Sequence, residues 1–250
     1  MEQTNRERIN AYLVARRADQ FAFLTEIVKV PSENPPGETT AIRERLVDAM
    51  AALELTPDVL KVETESAGEA ADLRNLIVRR EFGDGPTLAL SAHVDTAPVG
   101  QRWTRQPFAA AIEDGRLYGR GASDGKGDLA AYVFALLALE EISGDLAGAV
   151  ELHVTFDGFG GGELGPRWLL ESGATQPDWV IVPGRAGAVG TATTGVLNLD
   201  VEIRGWLAPA GNPSAGADAL EGAAHVLTAL YAHRDELRAR LSETEGIGAP

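Results

Sequence analysis

Apolar positions recur at helical spacing in four stretches of this chain and cluster into short strand-like runs between them. Ile9, Leu13, Phe21, Leu24 and Ile27-Val28 predict a helix over 6–30, long enough to be broken once, with Pro31 closing it and Pro35-Pro36-Gly37 forming a rigid loop. Ile42, Leu46, Met50 and Leu53 place a second amphipathic helix over 40–55. Strands are predicted at 59–63, 75–79 and 87–91, the last opened by Gly85-Pro86. A helix over 128–142, a strand over 149–156, a short helix over 164–171 and a strand over 179–182 follow. Helices interleaved with short apolar strands predict an α/β fold, a mixed, mainly parallel sheet with helices on both faces.

The pattern changes after Gly195. Leu197, Leu199, Val201 and Ile203 alternate with Asn198, Asp200, Glu202 and Arg204, which predicts a strand with one buried face. A helix over 217–241 comes next, with Asp218 and Glu221 at capping-box spacing. Two sheet environments imply two domains, 1–193 and 194–250.

Composition narrows the chemistry. Apolar residues make up 44% of the 250, as in an ordinary globular protein, and the net charge is −15. Such an acidic chain is a poor partner for nucleic acid or an anionic membrane, since phosphate binding needs a basic face. The chain has no cysteine, which removes disulfides and thiolate ligands, so any metal must be held by His and carboxylates. The N-terminus lacks a basic-then-apolar leader pattern, and a cytoplasmic setting is expected.

The candidate chemistry lies in two blocks. Ser-Ala-His93-Val-Asp95 ends the strand predicted at 87–91, and Asp124 sits in Gly-Arg-Gly-Ala-Ser-Asp-Gly-Lys-Gly, a glycine-rich turn before the next helix. Both pieces lie at the carboxyl ends of strands, where open α/β sheets place their ligands. His-x-Asp alone fits a satisfied structural histidine better than a ligand.

With the Asp124 block at its spacing, and with matching blocks through Trp103, Pro107-Phe108, residues 149–157, 176–183 and 194–240, the chain resembles a zinc-dependent hydrolase family. That family contains acetylornithine deacetylase, succinyl-diaminopimelate desuccinylase, aminoacylase and glutamate carboxypeptidase. The resemblance implies a zinc-exopeptidase-like catalytic domain followed by the start of a small α+β lid domain used for dimerisation. Both are incomplete here: after one lid strand and one lid helix the chain stops, before the rest of the lid and the C-terminal part of the catalytic domain with its last histidine ligand. It further implies that His93 ligates one metal, that Asp124 bridges two, and that Asp95 orients His93.

Other family positions are replaced. Where the family has Asp-Glu-Glu, this chain has Asp157-Gly158-Phe159, with Gly158 in place of the general base and Phe159 in place of a ligand. Gly184 stands where a further carboxylate ligand belongs, and Pro209 where a lid histidine polarises the substrate carbonyl. The expectation is therefore a metallo-amidohydrolase or deacylase relative that is inactive or severely impaired, a pseudoenzyme binding zinc weakly or not at all. One alternative is a working hydrolase of N-acyl amino acids or small peptides, completed by substitute ligands (Glu151, His153 or Glu163) or by another chain. Another is a small-molecule or protein-binding module, forming homo- or hetero-oligomers through the partial lid. Gly160-Gly161-Gly162-Glu163-Leu164-Gly165 also matches a dinucleotide-binding pattern, but no acidic ribose-binding residue ends the following strand.

Overall fold

The computed structural model describes residues 3–63, 72–184, 189–190 and 199–240, and the chain divides into two compact units, Met1–Pro183 and Gly184–Pro250. In the first unit, α1 (Asn5–Ala15) begins at a true capping box: Thr4 Oγ1 accepts from the Glu7 N–H while Glu7 Oε2 accepts from the Thr4 N–H. The long predicted helix breaks at Arg16, where Gln20 Nε2 bonds the Leu13 carbonyl, and resumes as α2 (Arg17–Val28). α3 (Thr40–Ala51) buries Ile42, Leu46 and Met50 along one stripe, as its periodicity requires.

The strands are β1 (Asp58–Lys61), β2 (Arg74–Glu81) and β3 (Thr87–His93). A small hairpin of β4 (Ala111–Glu113) and β5 (Arg116–Tyr118) comes next, then α4 (Lys126–Glu140), β6 (Ala149–Thr155), α5 (Trp168–Glu171) and β7 (Trp179–Ile181). Five strands form one sheet in the order β1-β2-β6-β3-β7. β1–β2 and β2–β6 are antiparallel, while β6–β3 and β3–β7 are parallel, so the sheet is mixed in equal parts.

One sheet face carries Leu76, Val78, Leu90, Val150, Leu152 and Val154, packed with residues of α2, α3 and α4 into the core. The other face is polar yet buried, with Asn75, Ser91, Glu151, His153 and Thr155. Residues 163–175 lie over it: Asn75 Nδ2 donates to the Leu164 carbonyl at 2.9 Å, and Thr175 Oγ1 bonds Glu151. β6 is buried along its whole length as a result.

Three differences from the sequence pattern have physical causes. The helix expected from 128 starts at Lys126, because Asp128 lies inside the first turn and accepts from the Gly125 N–H at 3.0 Å. The β4–β5 hairpin turns on Asp114-Gly115, both at positive φ (50° and 72°), the conformation a two-residue hairpin turn demands. The strand expected over 197–203 does not form in its described part, residues 199–203. Leu199 and Val201 are 67% and 57% exposed, and the one bridge nearby joins Trp206 to Ala217. Alternation selects a face, but a strand also needs a partner ladder, and none lies beside it among the described residues. The helix after it forms as α6 (Ala219–Arg238), with Asp218 Oδ1 accepting from the Leu220 N–H at 2.8 Å. The expected boundary near Thr194 lies outside the described residues.

Candidate functional site

His93 is the last residue of β3, and the ladder continues past it through the Val94 N–H bonded to the Thr155 carbonyl. The chain then turns so that Asp95 lies fully buried beneath the imidazole. Asp95 Oδ1 accepts from the Gly158 N–H at 2.8 Å, and Oδ2 accepts from the Phe159 N–H at 2.8 Å and from Asn34 Nδ2 at 3.0 Å. His93 Nδ1 faces the Asp95 carbonyl at 3.0 Å and Oδ1 at 3.3 Å. Both are acceptors, so Nδ1 carries a proton and Nε2 is the outward nitrogen.

These bonds set the charges. The hydrogen bond to Asp95 holds His93 above the ordinary imidazole range, against the opposing effect of burial. Burial pushes Asp95 up, but His93 and the three other donors outweigh it and leave the carboxyl below its ordinary value. The imidazole is clamped between two glycines. A Cβ on residue 158 would come within 2.6 Å of Nδ1, and one on residue 125 within 3.0 Å of Cε1. The Phe159 ring meets the imidazole edge to face, with centroids 5.5 Å apart.

Asp124 lies in the turn before α4, and its Oδ1 is 3.7 Å from His93 Nε2. That gap exceeds a hydrogen bond and can be spanned by two metal–ligand bonds of about 2.0–2.2 Å. A dinuclear zinc centre needs several more donors, and the described residues do not fit one. Gly158 and Phe159 approach the site through their N–H groups and offer no carboxylate. Gly184, exposed, begins the second unit, which also holds Pro209. Among the described residues no group of three or more His, Asp or Glu side chains is placed to hold a metal ion.

The candidate substitutes are engaged elsewhere. The register sets His93 beside Thr155, so His153 and Glu151 lie about 7 and 13 Å back along the strands by their rise. Glu151 bonds His153 Nε2 at 2.8 Å and Arg79 Nη1 at 2.6 Å. Glu163 is paired with Arg167 at 2.6 Å on the surface. The glycine-rich loop cradles no phosphate either. Two of its donors turn inward onto Asp157, whose carboxylate takes the Leu164 N–H at 2.7 Å and whose carbonyl takes the Gly162 N–H at 2.8 Å. Burial raises the Asp157 carboxyl.

Two participants escaped the sequence pattern. Asn34 was legible only as part of a turn before Pro35-Pro36, yet it is the side chain that clamps Asp95. Lys126 is fully buried, donates to the Val30 carbonyl at 2.7 Å, and is pushed down to about 8 by burial. A lysine at a helix start carries no local sign that it turns inward.

Residues 89–242, more than half of the chain, match the profile of peptidase family M20/M25/M40. Over 169 residues the chain is 34% identical to a succinyl-diaminopimelate desuccinylase of Rhodospirillum centenum, covering 66% of this chain and 40% of that protein. A solved M20 family metallo-carboxypeptidase, Sso-CP2 from Sulfolobus solfataricus, superposes with a TM-score of 0.56 at 26% identity, covering 67% of this chain and 37% of that one. Human carnosine dipeptidase 1 shares the fold, with a TM-score of 0.57 at 19% identity over 73% of this chain and 41% of its own. The chain thus spans well under half the length of these three relatives.

Proposed function

Because this chain belongs to peptidase family M20/M25/M40, we propose that it is a metallo-amidohydrolase domain whose frame is kept and whose hydrolytic site has been taken apart. The observation that carries this reading is at residues 158 and 159. Their N–H groups anchor Asp95 at 2.8 Å each, so both residues border His93, and one brings a hydrogen and the other a phenyl ring. Neither group can accept a proton from water or donate an oxygen to a metal ion. Loss of a general base alone lowers a rate by about 10²–10⁴.

On this reading Asp95 orients His93, and His93 with Asp124 holds a zinc ion weakly or not at all. A small N-acyl amino acid or peptide is the ligand class such a frame retains, bound without turnover. Association with a like or unlike chain is part of the same proposal.

The test is a hydrolysis assay of the full chain with added zinc or cobalt, using N-acetyl and N-succinyl amino acids and dipeptides. Turnover no greater than that of His93→Ala is expected. Metal-dependent turnover that His93→Ala abolishes would overturn the proposal. The competing reading, a working hydrolase completed by another chain, draws on the 3.7 Å approach of Asp124 to His93 Nε2, which a single ion could bridge. It requires turnover to rise more steeply than in proportion to protein concentration.

A further inference from the structure

The segment between α2 and α3 runs beside the chain leaving β3, registered on it by four hydrogen bonds and tied to the start of α4 by a fifth. Lys126 Nζ donates to the Val30 carbonyl and Ser32 Oγ to the Val94 carbonyl, each at 2.7 Å. The Thr96 N–H donates to the Ser32 carbonyl and the Asn34 N–H to the Thr96 carbonyl, each at 2.8 Å. Glu33 Oε1 takes the Val99 N–H at 2.7 Å, and Glu33 and Thr96 form a parallel bridge. At the end of this register the Asn34 amide meets Asp95 Oδ2.

The other two donors to Asp95, apart from His93, are backbone N–H groups on a loop that contains Gly158, Gly160, Gly161 and Gly162. Glycine-rich backbone has many accessible conformations and holds a carboxylate poorly by itself. Asn34 ties the same carboxylate to a segment whose position is fixed several times over.

The geometry points to Asn34 as a positioning residue for His93: by holding Asp95 Oδ2 it keeps Oδ1 at 3.3 Å from His93 Nδ1, a second acceptor beside the Asp95 carbonyl at 3.0 Å, and so helps keep the proton on Nδ1 and Nε2 outward. The inference takes from the proposed function only the choice of His93 as the residue being positioned. It concerns the metal-free protein, so it stands or falls independently of hydrolysis.

The experiment is long-range ¹H–¹⁵N spectroscopy of the metal-free full chain with labelled histidines, near pH 9, above the ordinary imidazole pKa of about 6.5. His93 is assigned among the four histidines by its loss in His93→Gln. The wild type is expected to show a single Nδ1–H tautomer. Asn34→Ala and Asn34→Asp should leave the Asp95 carbonyl to hold most of the Nδ1–H form, with a detectable Nε2–H fraction and exchange of the Nδ1 proton faster by about tenfold, the scale of one lost hydrogen bond to a charged group. Asn34→Asp is nearly isosteric and carries the test if Asn34→Ala does not fold. Ser32→Ala removes a bond from the same segment, and should lower Tm while leaving the tautomer unchanged. An Nε2–H tautomer in the wild type, or wild-type tautomer and exchange in a folded Asn34 variant, would overturn the inference.

Discussion

His93–Asp95 and His153–Glu151 are two imidazole–carboxylate pairs on one face of one sheet, two residues apart in register, with opposite surroundings. Around Glu151 the carboxylate is closed off: the buried His153 and Thr175 and the exposed Arg79 all bond it, and the Glu151 and His153 side chains are 7% and 4% exposed. Around His93 the inner side is equally closed, but Nε2 faces outward to Asp124, which is 71% exposed. A histidine beside a carboxylate is therefore no sign of function in itself. What separates the two is whether a nitrogen is left for something outside the fold.

The largest expected effect is on the closed pair. Glu151→Ala leaves two buried donors, on His153 and Thr175, without their acceptor, at about 1–3 kcal/mol each, and should destabilise the domain by about 2–6 kcal/mol in denaturant titrations. Asp124→Ala, on the exposed side of the other pair, should stay within about 0.5 kcal/mol. The pH dependence sharpens the contrast. Burial pushes Glu151 up, but Thr175, His153 and Arg79 outweigh it, so its carboxyl lies below the ordinary range in the fold. Its contribution is present above the unfolded carboxyl value of about 4.3 and is lost as pH falls through the folded value. The stability gap between wild type and Glu151→Gln should therefore narrow below about pH 4. A gap independent of pH would place the network's strength elsewhere.

A smaller effect is expected at residue 158. Gly158→Ala puts a Cβ against the His93 ring and should destabilise by about 1–3 kcal/mol. For the same reason Gly158→Glu should not restore turnover, since the side chain that would act as base displaces the histidine it must work with. Phe159 is 46% exposed, so Phe159→Glu has room. As a third donor it should tighten zinc binding by about tenfold or more in a calorimetric titration.

The smallest effect concerns Asp157. Burial raises its carboxyl, so the protonated form is favoured in the fold, and this advantage is lost as pH rises through the folded value. The stability of Asp157→Asn relative to wild type should increase between about pH 4 and pH 7. A constant difference across that range would contradict the assignment.

Much of this architecture was legible because burial imposes period and run length on sequence. α3 shows its stripe, and β3 shows the apolar run of a buried strand. Motifs singled out His93, Asp95 and Asp124, and the fold sets His93 against Asp95 with Asp124 3.7 Å from Nε2. Asn34 was hidden because its bond to Asp95 spans 61 residues and leaves no local pattern. The sequence offered Glu151 and His153 as substitute ligands, but their partners Arg79 and Thr175 come from other segments, which no local pattern encodes. The strand expected at 197–203 does not form in its described part, 199–203, for the complementary reason: a local pattern is present, and no partner ladder lies beside it among the described residues.

The most direct test of the account is zinc calorimetry on the metal-stripped full chain, with His93→Ala as control. Binding that is absent or weaker than micromolar, and little changed by the substitution, is the expected result. Submicromolar binding that disappears in His93→Ala would contradict the account, because it would require donors beyond His93 and Asp124 to converge on the outward nitrogen.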